Sequence, residues 1–277
     1  MNEPSGPDPL DVTILGAGTL VPDAARHSAA SAVRVGKALL LVDCGPGTLH
    51  GMPQYGVDWW ATTHVAITHF HNDHIGDLPA LLFAFRNAPR PPRSEPLVLM
   101  GPVGLAALLE GMASVFGEHC SDPGIPLHVV ELDPGDTFEV EDASARLTVH
   151  PAVHADESLA YRLDAESGTV GITGDTGPSE DLAAFMKGVD LLVVECGQSD
   201  PPDRPGHLSP CGVAAFAATA NPDLLLATHV YPPLDPALAA SEIAACGYSG
   251  RVIGARDGLR VRIESGTAVV DPDSSAN

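Results

Sequence analysis

Lysine is nearly absent from this sequence, and acidic residues far outnumber basic ones. The 277 residues include 36 aspartates and glutamates against 14 lysines and arginines, which gives a formal net charge of −22. The only lysines are Lys37 and Lys187. Nucleic-acid binding normally depends on lysine and arginine side chains that neutralise phosphates, and an acidic protein repels polyanions at long range. The composition therefore argues against a nucleic-acid partner.

Membrane and export signals are also missing. No apolar run is long enough to cross a bilayer, and the N-terminus lacks the positive start and apolar core of a signal peptide. We therefore expect a cytoplasmic protein with no membrane partner. The cysteines are odd in number and show no paired spacing, so we expect reduced and mostly buried thiols. They lie at positions 44, 120, 196, 211 and 246.

No low-complexity linker divides the chain between Asp11 and Arg262. The apolar pattern predicts strands that alternate with helices, one of them over Gly101–Phe116, and this order fits two sheets sandwiched between helices. We therefore expect one domain over residues 1–277, with disordered tails at 1–9 and 271–277.

The most informative run is Thr68-His-Phe-His-Asn-Asp-His-Ile-Gly-Asp-Leu78, between a predicted strand and a predicted helix over Ile75–Phe85. Imidazoles and carboxylates packed so closely are typical ligands of one or two divalent metals. Residues two apart in an extended segment point the same way. We therefore expect His69 and His71 to face one metal, and Asp73 and His74 to face a neighbouring one. The alternative is a histidine-rich surface turn.

Further ligand types follow other predicted strands. His154 follows the strand-like stretch Ala145-Arg-Leu-Thr-Val149, and Asp175 and His229 each close an apolar run. Open α/β sheets bind ligands at the carboxyl ends of their strands. A single residue of this kind could merely cap a strand end. Together with the histidine run, the three residues predict one metal site.

On these motifs the chain resembles the metallo-β-lactamase fold superfamily, within its ribonuclease Z-like and cyclic-nucleotide phosphodiesterase-like branch. The resemblance extends from Asp11 to Arg262 and implies an α/β protein with a four-layer αββα fold. The motifs that carry it are Val12-Thr-Ile-Leu-Gly-Ala-Gly-Thr19, Leu41-Val-Asp-Cys-Gly-Pro-Gly-Thr48, the histidine run, Thr173-Gly-Asp-Thr-Gly-Pro178, Asp190-Leu-Leu-Val-Val-Glu195, His207-Leu-Ser209 and Ala227-Thr-His229.

The resemblance also implies how seven ligands are shared between two divalent ions. One ion would take His69, His71 and His154, and the other would take Asp73, His74 and His229. Asp175 would bridge them, because a carboxylate has two oxygens to share. Nitrogen-rich ligation favours zinc, with manganese as the alternative. A water ionised between the ions would attack phosphorus, and Asp73 is also expected to orient this nucleophile.

Two residues outside the ligand set are expected to act in catalysis. The resemblance makes His207 a phosphate contact and the proton donor to the leaving alkoxide. Glu195 ends the preceding predicted strand and is expected to hold the imidazole in one tautomer. The alternative for His207 is a helix-entry residue on a surface loop, with Ser209 as the helix N-cap. Asp43 is either a turn residue or a partner of a ligand imidazole.

Substrate size is suggested by a missing segment. Ribonuclease Z proper usually carries a basic arm that grips tRNA, inserted between the equivalents of His154 and Asp175. Two predicted strands fill that interval here. We therefore expect a phosphodiesterase for a small phosphodiester, with a cyclic nucleotide as one candidate. The alternatives are a tRNA 3′ endonuclease, a sulfate-ester or lactone hydrolase, and a metal-dependent nucleotide sensor without enzyme activity. The resemblance also suggests a homodimer.

Overall fold

Two β-sheets lie face to face in the computed structural model, which describes residues 8–140 and 143–275. The strands are β1 (Leu10–Gly16), β2 (Ala30–Val35), β3 (Ala38–Val42), β4 (His64–Ala66), β5 (Leu97–Pro102), β6 (Leu127–Leu132), β7 (Thr137–Val140), β8 (Ala145–Pro151), β9 (Leu159–Ala165), β10 (Gly168–Ile172), β11 (Leu191–Glu195), β12 (Leu224–Thr228), β13 (Arg251–Gly254), β14 (Arg260–Glu264) and β15 (Thr267–Val270). The first sheet has the strand order β15-β14-β1-β2-β3-β4-β5-β6, and the second has the order β13-β12-β11-β10-β9-β8-β7.

Helices cover the outer faces of both sheets. They are α1 (Thr48–Gln54), α2 (Asn72–Ile75), α3 (Leu78–Asn87), α4 (Leu105–Phe116), α5 (Glu180–Phe185), α6 (Pro210–Ala220) and α7 (Pro236–Ala245). Buried apolar side chains form one cluster between the sheets, a second beneath α1, α3 and α4, and a third beneath α5, α6 and α7. This layering confirms the predicted αββα architecture, because each sheet buries both of its faces.

Two helices begin at later residues in the structure than the sequence predicts. The segment Ile75–Phe85 is divided, since α2 ends at Ile75 and α3 starts at Leu78 with a proline in its first turn. Proline is tolerated there because its missing N–H would have no partner inside the helix. The helix predicted over Gly101–Phe116 starts only at Leu105, because β5 extends to Pro102 and Gly104 turns the chain with a φ of 106°.

The edge strand β15 was not predicted from the sequence. It pairs with β14 through a tight turn in which Ser265 and Gly266 have φ angles of 51° and 73°. Positive φ at both central residues is typical of hairpin turns. The strand is only four residues long, which is too short for a clear alternating pattern.

The prediction that every cysteine is a free thiol was wrong for two of them. Cys211 and Cys246 form a disulfide between the first turn of α6 and the end of α7, with Cα atoms 5.2 Å apart. The pairing arises because the two helices pack side by side, and a separation of 35 residues gives no local signal. The other three cysteines are free and buried, as predicted.

The structure describes residues 271–275 of the predicted C-terminal tail. Residues Pro272–Ser275 form a 3-10 turn, and the Ser274 hydroxyl accepts a hydrogen bond from the Arg260 N–H at 3.1 Å. Residues 1–7 and 276–277 lie outside the described residues, so the tail prediction there stays a prediction. Within the described ranges, no helix is long and apolar enough to span a membrane.

Candidate metal centre

The polar residues singled out by the sequence meet at one edge of the two sheets. Parallel strands β10, β11 and β12 end side by side and place Asp175, Glu195 and His229 next to one another. The histidine run follows β4 and enters α2, and His154 lies in the turn between β8 and β9. Carboxyl ends of strands are the usual place for such sites in α/β proteins.

Three imidazoles form the first cluster. The Nδ1 atom of His71 lies 3.0 Å from the Nε2 atom of His69 and 3.0 Å from the Nε2 atom of His154. Tetrahedral zinc with bonds of about 2.0–2.1 Å would separate its nitrogen ligands by roughly 3.3 Å. The Oδ2 atom of Asp175 is 3.9 Å from His69 Nε2 and 3.7 Å from His154 Nε2. Asp175 could thus be the fourth ligand of an ion bound by these three imidazoles.

The second cluster consists of Asp73, His74 and His229. Oδ2 of Asp73 lies 3.3 Å from His229 Nε2 and 4.0 Å from His74 Nε2. The second carboxylate oxygen of Asp175, Oδ1, lies 3.3 Å from His74 Nε2 and 3.4 Å from His229 Nδ1. Each oxygen of Asp175 therefore faces a different cluster, which is the arrangement that a bridging ligand requires.

Three atoms of the second cluster are buried without a hydrogen-bond partner among the described residues. They are His74 Nε2, Asp175 Oδ1 and His229 Nδ1. A buried polar atom that lacks a partner costs free energy, so three such atoms at one point favour the binding of a cation. The donor set and these unpaired atoms fit a divalent metal.

Electrostatics lead to the same conclusion. Burial lowers the pKa of His69 to about 2, so this imidazole is neutral, as a metal ligand must be. Burial also acts to lower the pKa of His74, but Asp175 and Asp43 outweigh it and hold that pKa well above its usual value. Burial acts to raise the pKa of Asp73, but the hydrogen bond with His229 and the charge of His74 lower it to about 2. The second cluster therefore stabilises positive charge, which a metal ion can supply.

Asp43 holds two of the imidazoles in place. Its Oδ2 atom accepts a hydrogen bond from His74 Nδ1 at 2.7 Å, and its Oδ1 atom accepts one from the Thr68 N–H at 2.8 Å. The Thr68 hydroxyl bonds to the same carboxylate and lies 3.0 Å from His69 Nδ1. Asp43 also has a φ of 60°, so it is both a turn residue and a partner of a candidate ligand. On the opposite side, His154 Nδ1 donates to the Gly206 carbonyl at 2.9 Å.

We expect Asp43→Asn to weaken metal binding by about 10–100-fold, because residues that orient ligand histidines typically contribute that much. A titration of the metal-free protein with Zn²⁺ measures the loss. Asp77→Asn is the matched control, since Oδ2 of Asp77 accepts from the N–H groups of Gly47 and Leu49 and touches no candidate ligand. Equal zinc affinity in wild type and Asp43→Asn would show that the carboxylate only shapes the turn.

His207 and Glu195 form a buried pair next to the clusters. The Nδ1 atom of His207 is 2.8 Å from Glu195 Oε1 and 3.9 Å from Asp175 Oδ2. Glu195 also accepts from the N–H groups of Thr176 and Gly197, at 2.9 Å and 2.6 Å. Burial and the charge of Asp175 raise the pKa of Glu195, whereas burial lowers the pKa of His207. His207 is therefore not a residue of an exposed loop, although Ser209 does cap α6 as expected.

Known proteins resemble this chain in sequence and in fold. The family model for the β-lactamase superfamily domain matches residues 39–230. The chain is 29% identical to a ribonuclease Z of Mycobacterium bovis over 92% of its own length and 98% of that protein. The Bacillus subtilis metallo-β-lactamase fold protein YhfI has a TM-score of 0.79 at 24% identity, over 92% and 99% of the two chains. The short form of human tRNase Z has a TM-score of 0.74 at 23% identity, over 91% and 99%.

The chain belongs to the metallo-β-lactamase superfamily, in its ribonuclease Z-like branch. The predicted family is thus confirmed. The chain is a metal-dependent hydrolase of ester bonds, and its histidine and aspartate clusters have the donor groups that could hold divalent ions.

The hydrolase centre opens into a cavity of about 740 Å³ that the sequence did not predict. Tyr231, Arg204 and Arg26 line it together with His71, Asp73 and His207. The Tyr231 ring centre is 5.3 Å from that of His229 and 5.8 Å from that of His207. Arg204 lies over the Tyr231 ring at 5.5 Å. Tyr231 follows His229 by two positions, and this spacing was the one signal that could have revealed it.

The wall of the cavity formed by the β1–β2 loop is fixed by contacts over long sequence distances. Asp257 accepts hydrogen bonds from the N–H groups of Ala17 and His27, at 2.8 Å and 2.6 Å. The carbonyl of Ala17 in turn accepts from the N–H of His229 at 3.1 Å. His27 therefore borders the cavity. Partners more than 200 residues apart leave no pattern in the sequence.

Proposed function

We propose that this hydrolase is a binuclear phosphodiesterase that acts on a small phosphodiester, with a cyclic nucleotide as the candidate substrate. The observation that carries the proposal is the position of Asp175, whose two oxygens face two separate ligand clusters. The His207–Glu195 pair lies beside this bridge. Two ions and a proton donor suit phosphodiester hydrolysis, which needs stabilisation of both the attacking and the leaving oxygen.

The two divalent ions, of which zinc fits the nitrogen-rich donors best, would stabilise charge on the phosphoryl oxygens and lower the pKa of water to about 7. The first ion would be held by His69, His71 and His154, and the second by Asp73, His74 and His229, with Asp175 between them. Asp73 orients the attacking water. His207 donates a proton to the leaving alkoxide, and Glu195 keeps Nδ1 of the imidazole protonated.

The preference for a small substrate is supported by the cavity and by the overall charge. About 740 Å³ falls within the range of roughly 300–1,000 Å³ that is usual for small-molecule sites. Arg204 supplies positive charge inside the cavity, where the charge of Arg26 is paired with that of Asp23, whereas the protein as a whole carries −22. The interval between His154 and Asp175 forms β9 and β10, which leaves no room for a tRNA-gripping arm. Because its relatives include ribonucleases Z, RNA is the second candidate substrate.

We expect turnover of a small diester, such as bis(p-nitrophenyl) phosphate with Zn²⁺ or Mn²⁺, to exceed cleavage of a tRNA precursor by a large factor. Repulsion of the polyanion by a net charge of −22 is the physical reason. Both rates should be measured at physiological salt with the same enzyme preparation. Efficient and accurate removal of a tRNA 3′ trailer would overturn the preference. Hydrolysis of only sulfate esters or lactones, or nucleotide binding without turnover, would overturn the proposed function itself.

Two further features of the protein also stay predictions. A homodimer would be seen as a doubled mass in light scattering, and a cytoplasmic location would be seen by fractionation of the source cells.

A further inference from the structure

We propose that Tyr231 is a further catalytic residue, whose phenol O–H donates a hydrogen bond to a phosphoryl oxygen of the bound diester. The inference rests on the proposed phosphodiesterase function and adds a contact that neither the ligand set nor the His207–Glu195 pair provides.

The position of Tyr231 supports this role. Its ring stands edge-on to His229, a candidate ligand of the second ion, and edge-on to His207, the candidate proton donor. It lines the same cavity as Asp73 and Asp175. A diester whose phosphorus lies near the bridging carboxylate, with its leaving oxygen at His207, would therefore present its remaining phosphoryl oxygens close to this ring.

The hydroxyl of Tyr231 is free to bind a ligand. Across residues 8–140 and 143–275, the structure contains no hydrogen bond to it. The side chain is only half-buried, so the hydroxyl is not sealed inside the core. A tyrosine phenol has an ordinary pKa of about 10 and is protonated at neutral pH. A neutral O–H next to carboxylates is a hydrogen-bond donor that adds no negative charge to a site for an anionic substrate.

Arg204 fixes the plane of the ring. Its guanidinium lies 5.5 Å from the ring centre, which is within the range of an attractive cation–π contact. A donor that is held in position before substrate binds costs no reorganisation during the reaction, and this is how oxyanion-type donors accelerate hydrolysis.

The test is Tyr231→Phe, which removes one oxygen and keeps the ring beneath Arg204. We expect kcat/KM to fall by about 10²-fold, the typical contribution of one such donor. The loss should be equal for bis(p-nitrophenyl) phosphate and for 3′,5′-cyclic AMP, because a contact to a phosphoryl oxygen does not depend on the leaving group. Metal content by elemental analysis should match that of wild type. Tyr248→Phe is the matched control, since Tyr248 is likewise partly buried but packs against the cluster beneath α5, α6 and α7.

Each other outcome overturns the inference. Unchanged kcat/KM on both substrates would mean that Tyr231 only packs against the histidines. A loss confined to the cyclic nucleotide, whose leaving group is a ribose alkoxide, would make Tyr231 the proton donor instead. If wild-type enzyme hydrolyses neither diester, the proposed function fails first and the role of Tyr231 fails with it. Tyr231→Phe with wild-type activity on an active enzyme would refute the role of Tyr231 alone.

Discussion

Asp175→Ala is expected to lose both metal ions and nearly all activity, because one carboxylate faces both ligand clusters. Its oxygens lie 3.3–3.9 Å from the ring nitrogens of His69, His74, His154 and His229. Loss of a group that only orients a ligand costs roughly 10–100-fold in metal affinity or activity. Removal of a ligand shared by two ions should lower metal affinity further. The two cations would then lie close together without the negative charge of the carboxylate between them.

The measurement is metal content by elemental analysis under zinc-replete conditions, together with the rate on bis(p-nitrophenyl) phosphate. Wild type should hold close to two ions per chain, and Asp175→Ala should hold far fewer. Asp190→Ala is a suitable control, since Asp190 accepts hydrogen bonds from the Thr169 N–H and hydroxyl in the same sheet, away from the clusters. Fully active wild-type protein that contains one ion or fewer would contradict the binuclear proposal.

The histidine run was predictable because its information is local. Alternation along an extended segment and the change to a helix are visible in residues 64–85, and the apolar runs before His154, Asp175 and His229 mark strand ends in the same way. A fold with parallel neighbouring strands then brings those ends to one edge. The structure places all seven candidate ligands within the two clusters that the sequence indicated.

The rest of the site depends on contacts that no local pattern encodes. Asp257 reaches Ala17 across 240 positions, and Arg26 reaches the Val230 carbonyl across 204. The cavity wall is thus built from two loops that meet only after both sheets have formed. The disulfide between Cys211 and Cys246 has the same origin, because it depends on how α6 packs against α7. Motif spacing identifies side chains that bind a common ion, but it does not identify the loops that surround them.

Removal of the proton donor should produce an effect that depends on the substrate. His207→Ala is expected to lose about 10²–10⁴-fold in rate on a diester with a ribose-type leaving group. It should lose much less on bis(p-nitrophenyl) phosphate, because p-nitrophenolate departs with little help from an acid. The pair of substrates therefore separates proton donation from phosphate binding, which would affect both equally.

Metal content should be unchanged in His207→Ala if His207 lies outside the ligand set. The structure makes this measurement necessary, since Asp175, His207 and His229 also lie close enough together to hold an ion. Glu195→Gln should show the same dependence on the leaving group more weakly, because the amide keeps a contact to Nδ1 but does not stabilise the imidazolium. His150→Ala is a control, as this histidine stacks on Phe185 and belongs to neither ligand cluster. An equal loss on both substrates would make His207 a phosphate contact, and a loss of metal would make it a ligand.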